Sequence, residues 1–225
     1  MNTMFVSPLL KLSPDGPFSS ELNDLVHLRQ GDLDGACGPY CIISALIALG
    51  LMDRQNIQEN MHRWKGSARE GRFRDALFSF GVWTNEGTTA DDLLWLTEFY
   101  KRKGLDAYHG SGSKKELVKN ICFELESGNL PILAVDWNGG GAHWLLVVGY
   151  QGIEKDDDIQ LTHLLCLDPG QNTPSISLWN AMIHVFNDDG SSSNPGYMSS
   201  QYLGMDRNSL KCQIRDVVVL SLPGK

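Results

Sequence analysis

The sequence predicts an α+β fold in which helices occupy the N-terminal half and an antiparallel sheet occupies the C-terminal half. Up to about residue 128, apolar residues recur at helical spacing between polar caps and glycine stops. From about residue 129 onward, aliphatic and β-branched runs alternate with glycine, proline and acidic turns. The 225 residues fit a single domain, with a helical lobe over about 20–128 and a sheet lobe over about 129–225.

The most apolar predicted helix starts at Cys37 and ends at Gly50. The run from Ile42 to Leu49 is too uniformly apolar for a surface helix, so this helix should be buried on most sides. Pro39 suits the first turn, where a missing N–H has no consequence. A thiol at the N-terminal end of a helix lies close to unpaired N–H groups, which favour the thiolate. Cys37 is therefore a candidate nucleophile on a central helix.

The remaining elements follow from caps, periodicity and turn residues. Ser113 followed by Glu116 is a capping box, and Gly128 ends the helix that it opens. Residues 1–20 should be extended, and Asn187 to Tyr197 should be a mobile loop or a long insertion. Helices are predicted over 20–26, 53–64, 69–80, 88–103 and 113–127, strands over 130–137, 143–151, 160–167 and 216–222, and hairpin connections over 139–141 and 154–158.

Composition and charge exclude several classes of function. The net charge of −8 argues against a nucleic acid or an anionic membrane surface as the main partner. The longest apolar run, Cys41 to Met52, is shorter than the roughly 20 residues of a membrane span. The N-terminus lacks signal-peptide features, so a cytoplasmic location is expected where the protein is made, with export without a Sec-type signal as the alternative. Five cysteines without a Cys-x-x-Cys pair predict no disulfide framework and no zinc site. No predicted helix carries a His-x-x-x-His pair, so no metal site is expected, and no cofactor is expected either.

His143 is the candidate base for the Cys37 thiol. It follows a glycine-rich loop and begins a strand, so a rigid element would hold the imidazole while a compact loop leaves it approachable. A single histidine at a strand start is more often structural, and only the pairing with Cys37 favours a catalytic interpretation. Asp168 ends the next strand, where a hairpin would bring it beside His143 to hold the imidazole tautomer. Aspartate before proline is also a common turn former, and Asn172 is the alternative orienting residue.

Further residues complete the candidate site. Gln30 precedes Cys37 by one short loop, so its amide could hold an oxyanion together with the Cys37 N–H. Cys41, one helical turn after Cys37, is the alternative nucleophile, although a buried small hydrophobe is the favoured interpretation. Trp137 and Trp144, which flank the glycine loop, either line a substrate groove or pack in the core. The substrate-binding candidates are Gly140, Gly141 and Trp144, because glycines allow a substrate backbone to approach closely.

Taken together, these motifs resemble the papain-like cysteine peptidase superfamily. Gln30, then Cys37-Gly-Pro, then Ala-His143-Trp-Leu-Leu-Val-Val-Gly-Tyr, then Leu-Asp168-Pro follow that superfamily's order over roughly residues 25–175. Within it, they are most similar to the bacteriocin-processing (double-glycine) peptidase-like branch. The resemblance implies a two-lobed fold, with Gln30 as oxyanion donor, Cys37 as nucleophile, His143 as general base and acid, and Asp168 as orienting residue. Exporter-linked members carry transmembrane and ATPase segments, which this sequence does not contain, so a role in peptide export is not implied.

The function implied is that of a thiol protease, a cysteine hydrolase acting on a peptide bond of a peptide or protein substrate. The same triad also serves glutamine deamidation, transglutamination, isopeptide cleavage and cell-wall amide hydrolysis, because these reactions share the acyl-enzyme step. A papain-like fold kept as a non-catalytic binding module is the competing class, and the intact Cys37, His143 and Asp168 argue against it. The oligomeric state is left open.

Overall fold

The computed structural model describes residues 1–31, 36–80, 87–155, 158–199 and 210–223. Most of the predicted loop before Cys37 and the centre of the predicted 154–158 connection lie outside these residues. Short 3₁₀ turns lie at Met61–Arg63 and Lys101–Lys103. The elements of the described ranges are β1 (Asn2–Val6), β2 (Leu10–Ser13), β3 (Gly16–Ser19), α1 (Cys37–Ala48), α2 (Arg54–Asn60), α3 (Arg69–Ser79), α4 (Ala90–Glu98), β4 (Asp106–Gly110), α5 (Lys114–Glu126), β5 (Leu130–Trp137), β6 (Ala142–Lys155), β7 (Asp158–Leu167), β8 (Ala181–Phe186), β9 (Ser192–Ser199) and β10 (Leu210–Ser221).

The main sheet closes into a barrel. β6 pairs with β5 on one side and with β7 on the other, and the order β6-β5-β10-β9-β8-β7 returns to β6. β1 pairs with the second half of β6, and β4 pairs with the end of β10. The predicted antiparallel pairing is confirmed, whereas closure is not part of the prediction. β1 comes from the segment predicted to be extended, and β4 comes from the lobe expected to be helical. Closure protects sheet edges that would otherwise expose unpaired backbone groups.

The sheet separates two apolar clusters. Alternate residues of β6 face opposite sides, with Trp144 and Leu146 in one cluster and Leu145 and Val147 in the other. The first cluster joins one face of the sheet to α1, α3 and α4, and the second joins the other face to α5. All of α1 except Tyr40 is buried, as its composition predicts. Each fully buried aliphatic side chain contributes about 1.5–3 kcal/mol to stability.

The helix caps behave as the sequence predicts. Ser113 and Glu116 form a reciprocal capping box at the start of α5, and Thr89 and Asp92 form another at the start of α4. α2, α3, α4 and α5 lie within the predicted helical ranges. These ends are determined by hydrogen bonds between residues three positions apart, which makes them readable from sequence.

The predicted helix over 20–26 is wrong. The Ser19 hydroxyl oxygen accepts a hydrogen bond of 3.2 Å from the Glu21 N–H, and Asn23 has a left-handed φ of +57°. Side-chain-to-backbone bonds of this type offer the chain an alternative to the helix. The segment therefore turns and leads into His27, which is buried.

The mobile loop predicted from Asn187 to Tyr197 is also wrong. Its first residues form a tight turn, in which the Gly190 N–H donates to the Asn187 carbonyl at 2.8 Å. β9 follows and pairs antiparallel with β8, with Tyr197 opposite Ile183. Serine, asparagine and glycine have low strand propensity, so pairing with β8, rather than local preference, makes this segment a strand.

Gly149 lets β1 join the sheet, and its replacement should be destabilising. A methyl group at this position would overlap the backbone carbonyl oxygen of Phe5 and approach the Val6 Cα to 3.1 Å. We expect Gly149→Ala to lower the free energy of unfolding by about 1–3 kcal/mol and to speed hydrogen exchange in β1. Urea unfolding and amide exchange measure both effects.

Gly139→Ala is the matched control, because a methyl group there meets no atom of the described structure within 4 Å. Its effect should stay within about 0.5 kcal/mol. Equal stabilities of the two variants would contradict the proposed role of Gly149.

Candidate active site

Cys37 is the first residue of α1, and its side chain is nearly enclosed, at 6% exposure. Ala36 precedes it and offers no side-chain cap, and the first turn of α1 carries no acidic residue. Within the described residues, the N-terminal N–H groups of α1 are therefore not covered by a capping side chain. These N–H groups and the positive end of the helix dipole favour a negative charge beside Cys37.

His143 and Asp168 meet because β6 and β7 are antiparallel neighbours. His143 lies at the start of β6 and Asp168 directly follows β7, so the two residues reach the same end of the strand pair. Nε2 of His143 is 2.7 Å from Oδ1 of Asp168. His143 also hydrogen-bonds to Cys37. Because Nε2 faces Asp168, Nδ1 is the ring nitrogen left for the thiol. Three of the predicted site residues are thus linked in the order Cys37, His143, Asp168.

The surroundings of His143 and Asp168 favour a positively charged imidazole beside a negatively charged carboxylate. Burial by itself lowers the pKa of His143, but the hydrogen bonds to Asp168 and Cys37, together with their charges, raise it from 6.5 to about 10. Burial by itself raises the pKa of Asp168, but the bond and the charge of His143 leave it below its usual value. The expected state at neutral pH is an imidazolium held between Asp168 and Cys37.

The carboxylate of Asp168 also receives hydrogen bonds from groups that sequence reasoning missed. Its side chain is buried, with the residue 2% exposed. The Gly170 N–H donates to Oδ1 at 2.7 Å, and the Tyr197 hydroxyl donates to Oδ2. The dipeptide after Asp168, proline and glycine, signals a turn that can fold an N–H back to the carboxylate. Tyr197 carries no such signal, because β9 brings it from a distant part of the chain.

A buried polar cluster holds the turn that carries Asp168. Oδ1 of Asn180 accepts from the Asp168 N–H at 2.6 Å, and its Nδ2 donates to the Asp168 carbonyl at 3.0 Å. Nε2 of His27 lies 2.8 Å from the same carbonyl, so this nitrogen carries the proton, and Nδ1 accepts from the Thr173 hydroxyl at 2.9 Å. Burial lowers the pKa of His27, which agrees with a neutral imidazole. The sequence does not indicate this role of His27 behind Asp168.

The two tryptophans beside the glycine loop have different positions. The Trp137 ring stacks on His143 with ring centroids 6.0 Å apart, and its other neighbour is the Tyr197 ring at 5.2 Å. Trp144 is 2% exposed and donates from Nε1 to the Thr88 carbonyl at 2.8 Å. The prediction that Trp144 contacts substrate disagrees with this burial, because its ring fills the core between β6 and α4.

The glycines of the predicted substrate site lie in the exposed turn between β5 and β6. Gly140 and Gly141 have φ values of +93° and +89°, which other residues rarely adopt. The Trp137 N–H donates to the Gly141 carbonyl at 3.0 Å, which closes the turn beside His143. The turn geometry alone accounts for these glycines, and their contact with substrate stays a prediction.

The remaining candidates are also located. The Gln30 N–H donates to the Pro169 carbonyl at 2.7 Å, so its backbone lies beside the turn that follows Asp168. Its role as oxyanion donor stays a prediction. Cys41 is 1% exposed, and burial raises the pKa of its thiol, which favours Cys37 as the reactive thiol. Asn172 is exposed, and Asp168 rather than Asn172 bonds to His143.

Other features of the described chain bear on cofactors and membranes. The described residues contain no group of three or more histidine, cysteine, aspartate or glutamate side chains arranged to hold a metal ion. In the described part of the chain, no helix has the length and apolar character needed to span a bilayer. All five cysteines are free thiols and buried, and burial raises the pKa of Cys122, Cys166 and Cys212.

Comparison with known proteins finds neighbours among solved structures. No family model and no curated protein matches this chain. The crystal structure of UfSP from C. elegans aligns with it at 14% sequence identity and a TM-score of 0.46, over 98% of this chain and 34% of that one. This chain therefore spans about a third of the length of that protein.

The pKa of His143 provides a direct test of this pair. We expect an NMR titration of the imidazole to give a pKa of about 10, and we expect Asp168→Asn to lower that pKa, because the hydrogen bond and the charge of Asp168 that raise it are lost. Since the folded value exceeds the unfolded one, this interaction stabilises the fold fully below pH 6.5 and is lost as the pH rises through about 10. Asp216→Asn is the control, because Asp216 pairs with His109 at 2.9 Å. A pKa near 10 in Asp168→Asn would contradict the assignment.

Tyr197→Phe tests the support of the Asp168 carboxylate. Losing a hydrogen bond to a buried charge should lower the free energy of unfolding by about 1.5–3 kcal/mol. The pKa of Asp168 should rise, because the charged form loses a donor. Carboxyl NMR titration and urea unfolding measure the two effects. Tyr108→Phe is the control, since that hydroxyl bonds to Glu124 instead. An equal shift of the Asp168 pKa in both variants would refute the proposed support of the carboxylate by Tyr197.

Proposed function

We propose that this protein is a cysteine hydrolase that cleaves an amide bond of a peptide or protein substrate. The observation that carries the proposal is the hydrogen-bonded series Cys37, His143, Asp168 at the N-terminal end of a buried helix. A nucleophile, a base and an orienting carboxylate within hydrogen-bond reach are the arrangement that covalent catalysis requires.

In the proposed reaction, the Cys37 thiolate attacks the substrate carbonyl carbon, and the carbonyl π electrons move to the oxygen. The His143 imidazolium then protonates the leaving amine, so the C–N bond breaks and a thioester with Cys37 remains. The raised pKa of His143 suits this step, because the proton is present at neutral pH. Water next attacks the thioester while neutral His143 accepts its proton, which releases the carboxylic acid and restores the thiolate–imidazolium pair.

Asp168 keeps His143 oriented and stabilises its charge throughout this cycle. Because Nε2 faces Asp168, Nδ1 remains available to Cys37 and to the substrate. Trp137 covers one face of the imidazole and limits its rotation. The carboxylate stays ionised, since its bonds from Tyr197 and Gly170 favour the charged form.

The finer assignment to the papain-like superfamily rests on the order of the sequence motifs. A cysteine that opens a buried helix and a histidine that opens a strand agree with that order. In this proposal, the Gln30 side chain and the Cys37 N–H hold the oxyanion. The position of Gln30 beside the Asp168 turn supports it. The assignment to the bacteriocin-processing branch is supported only by the similarity of the sequence motifs.

Alkylation with iodoacetamide at pH 6, followed by mass spectrometry, tests the proposal without a known substrate. We expect Cys37 to react rapidly at a pH where a free thiol is almost entirely protonated. His143→Ala should slow this reaction by about 100-fold or more, because it removes the imidazolium that stabilises the thiolate. The four other cysteines serve as internal references, since each is buried.

His109→Ala is the matched control, because His109 pairs with Asp216 outside the site. Peptide-library cleavage by the wild-type protein, absent in Cys37→Ser, should then define the substrate. Equal alkylation in the wild type and His143→Ala would count against the proposal and favour a binding role. Preferential labelling of Cys41 would overturn the assignment of Cys37 and favour Cys41 as the nucleophile.

A further inference from the structure

Thr88 places an unused hydroxyl group beside the nucleophilic end of α1. It precedes Thr89, the residue that caps α4. The Oγ1 atom of Thr88 is buried, yet it has no hydrogen-bond partner in the described part of the chain. Burying a hydroxyl without a partner destabilises a protein. A group held in this state is a candidate for a bond that forms only when a ligand is present.

The position of this hydroxyl is defined by Gly38, the residue directly after Cys37. A Cβ atom on Gly38 would overlap Oγ1 of Thr88 and would lie 2.8 Å from Cδ2 of Leu93. The Thr88 hydroxyl therefore lies against the first turn of α1, where the helix presents its N–H groups. Glycine at position 38 is what allows the hydroxyl to approach this turn.

The backbone of Thr88 is fixed to the other half of the site. Its carbonyl accepts a hydrogen bond of 2.8 Å from the indole of Trp144, the residue directly after His143. Trp144 is fully enclosed, so this anchor is rigid. Thr88 is thus held between Gly38, which follows the nucleophile, and Trp144, which follows the base.

From these contacts we infer that the Thr88 hydroxyl donates a hydrogen bond to the carbonyl oxygen of the acyl group that reacts at Cys37. As the thiolate adds to the carbonyl carbon, the C=O π bond becomes a C–O⁻ group, and the Thr88 O–H supplies a donor to it. When the intermediate collapses, the C=O bond re-forms, the leaving group departs, and the Thr88 proton stays on Thr88. This assignment rests on the proposed hydrolase function and adds a donor from the segment before α4 to those of α1 and Gln30.

Two reagents that react differently with the same thiol test the assignment. Acylation by p-nitrophenyl acetate passes through an oxyanion and releases p-nitrophenolate. Exchange with 2,2′-dipyridyl disulfide breaks an S–S bond, releases 2-thiopyridone and forms no oxyanion. We expect Thr88→Val to slow acylation by about 100-fold, the loss typical of one oxyanion donor, and to leave disulfide exchange within about twofold of wild type. Thr88→Ser should restore acylation, because it keeps the hydroxyl.

Stability measurements separate a lost donor from a damaged fold. Thr88→Val removes an unpartnered buried hydroxyl at constant shape, so its thermal midpoint should equal or exceed that of the wild type. Thr97→Val, on the helix that follows Thr88, is the control: Thr97 is buried, and its hydroxyl donates to the Leu94 carbonyl at 2.7 Å. It should lower the midpoint without a selective loss of acylation. If Thr88→Val unfolds, Thr88→Ala provides a second deletion of the hydroxyl.

The outcomes distinguish this inference from the proposed function. Unchanged acylation in Thr88→Val, with fast acylation in the wild type, would refute the donor role and leave the hydrolase proposal intact. An equal slowing of both reactions would also refute it, because the hydroxyl would then act on the thiolate and not on the oxyanion. Wild-type Cys37 that reacts with neither reagent faster than it does in His143→Ala would overturn both.

Discussion

The buried carboxylate of Asp168 is the constraint on which the candidate site depends. A charge at 2% exposure is tolerated only if donors surround it, and breaking such a buried pair costs about 3–5 kcal/mol. His143, Gly170 and Tyr197 supply the donors, from β6, from the turn after β7 and from β9. The carboxylate therefore ties three parts of the barrel together and fixes the orientation of the imidazole.

The Cys37 thiol lies beside His143 and Asp168 because of how α1 packs on the sheet. Alternation along β6 directs Trp144 toward α1 and α4, next to the residue that carries the imidazole. The indole then bonds to Thr88, which lies against Gly38 at the start of the same helix. One apolar cluster thus holds the nucleophile and the base at a constant separation, as preorganised catalysis requires.

Sequence reasoning failed where local preference and tertiary pairing disagree. The 20–26 segment has helix-forming and capping residues, but Asn23 adopts a left-handed φ, and the Val26 N–H donates to the Pro17 carbonyl of β3 instead of continuing a helix. The segment before Tyr197 has turn-forming composition, yet β8 provides the partner that makes it a strand. For Trp144 the sequence left two positions open, a substrate groove and the core, and only the packing of α4 against β6 places it in the core.

The sequence alone determined the features that depend on residues close together along the chain. The buried helix that opens at Cys37, the capping boxes, the antiparallel strands and the placement of His143 and Asp168 at strand ends follow from composition and short-range spacing. Only the tertiary structure decided the closure of the barrel, the arrival of Tyr197 at the carboxylate, and the approach of Thr88 to Gly38. Each of these is a contact between residues far apart in sequence, and its formation depends on the register and packing of the whole sheet.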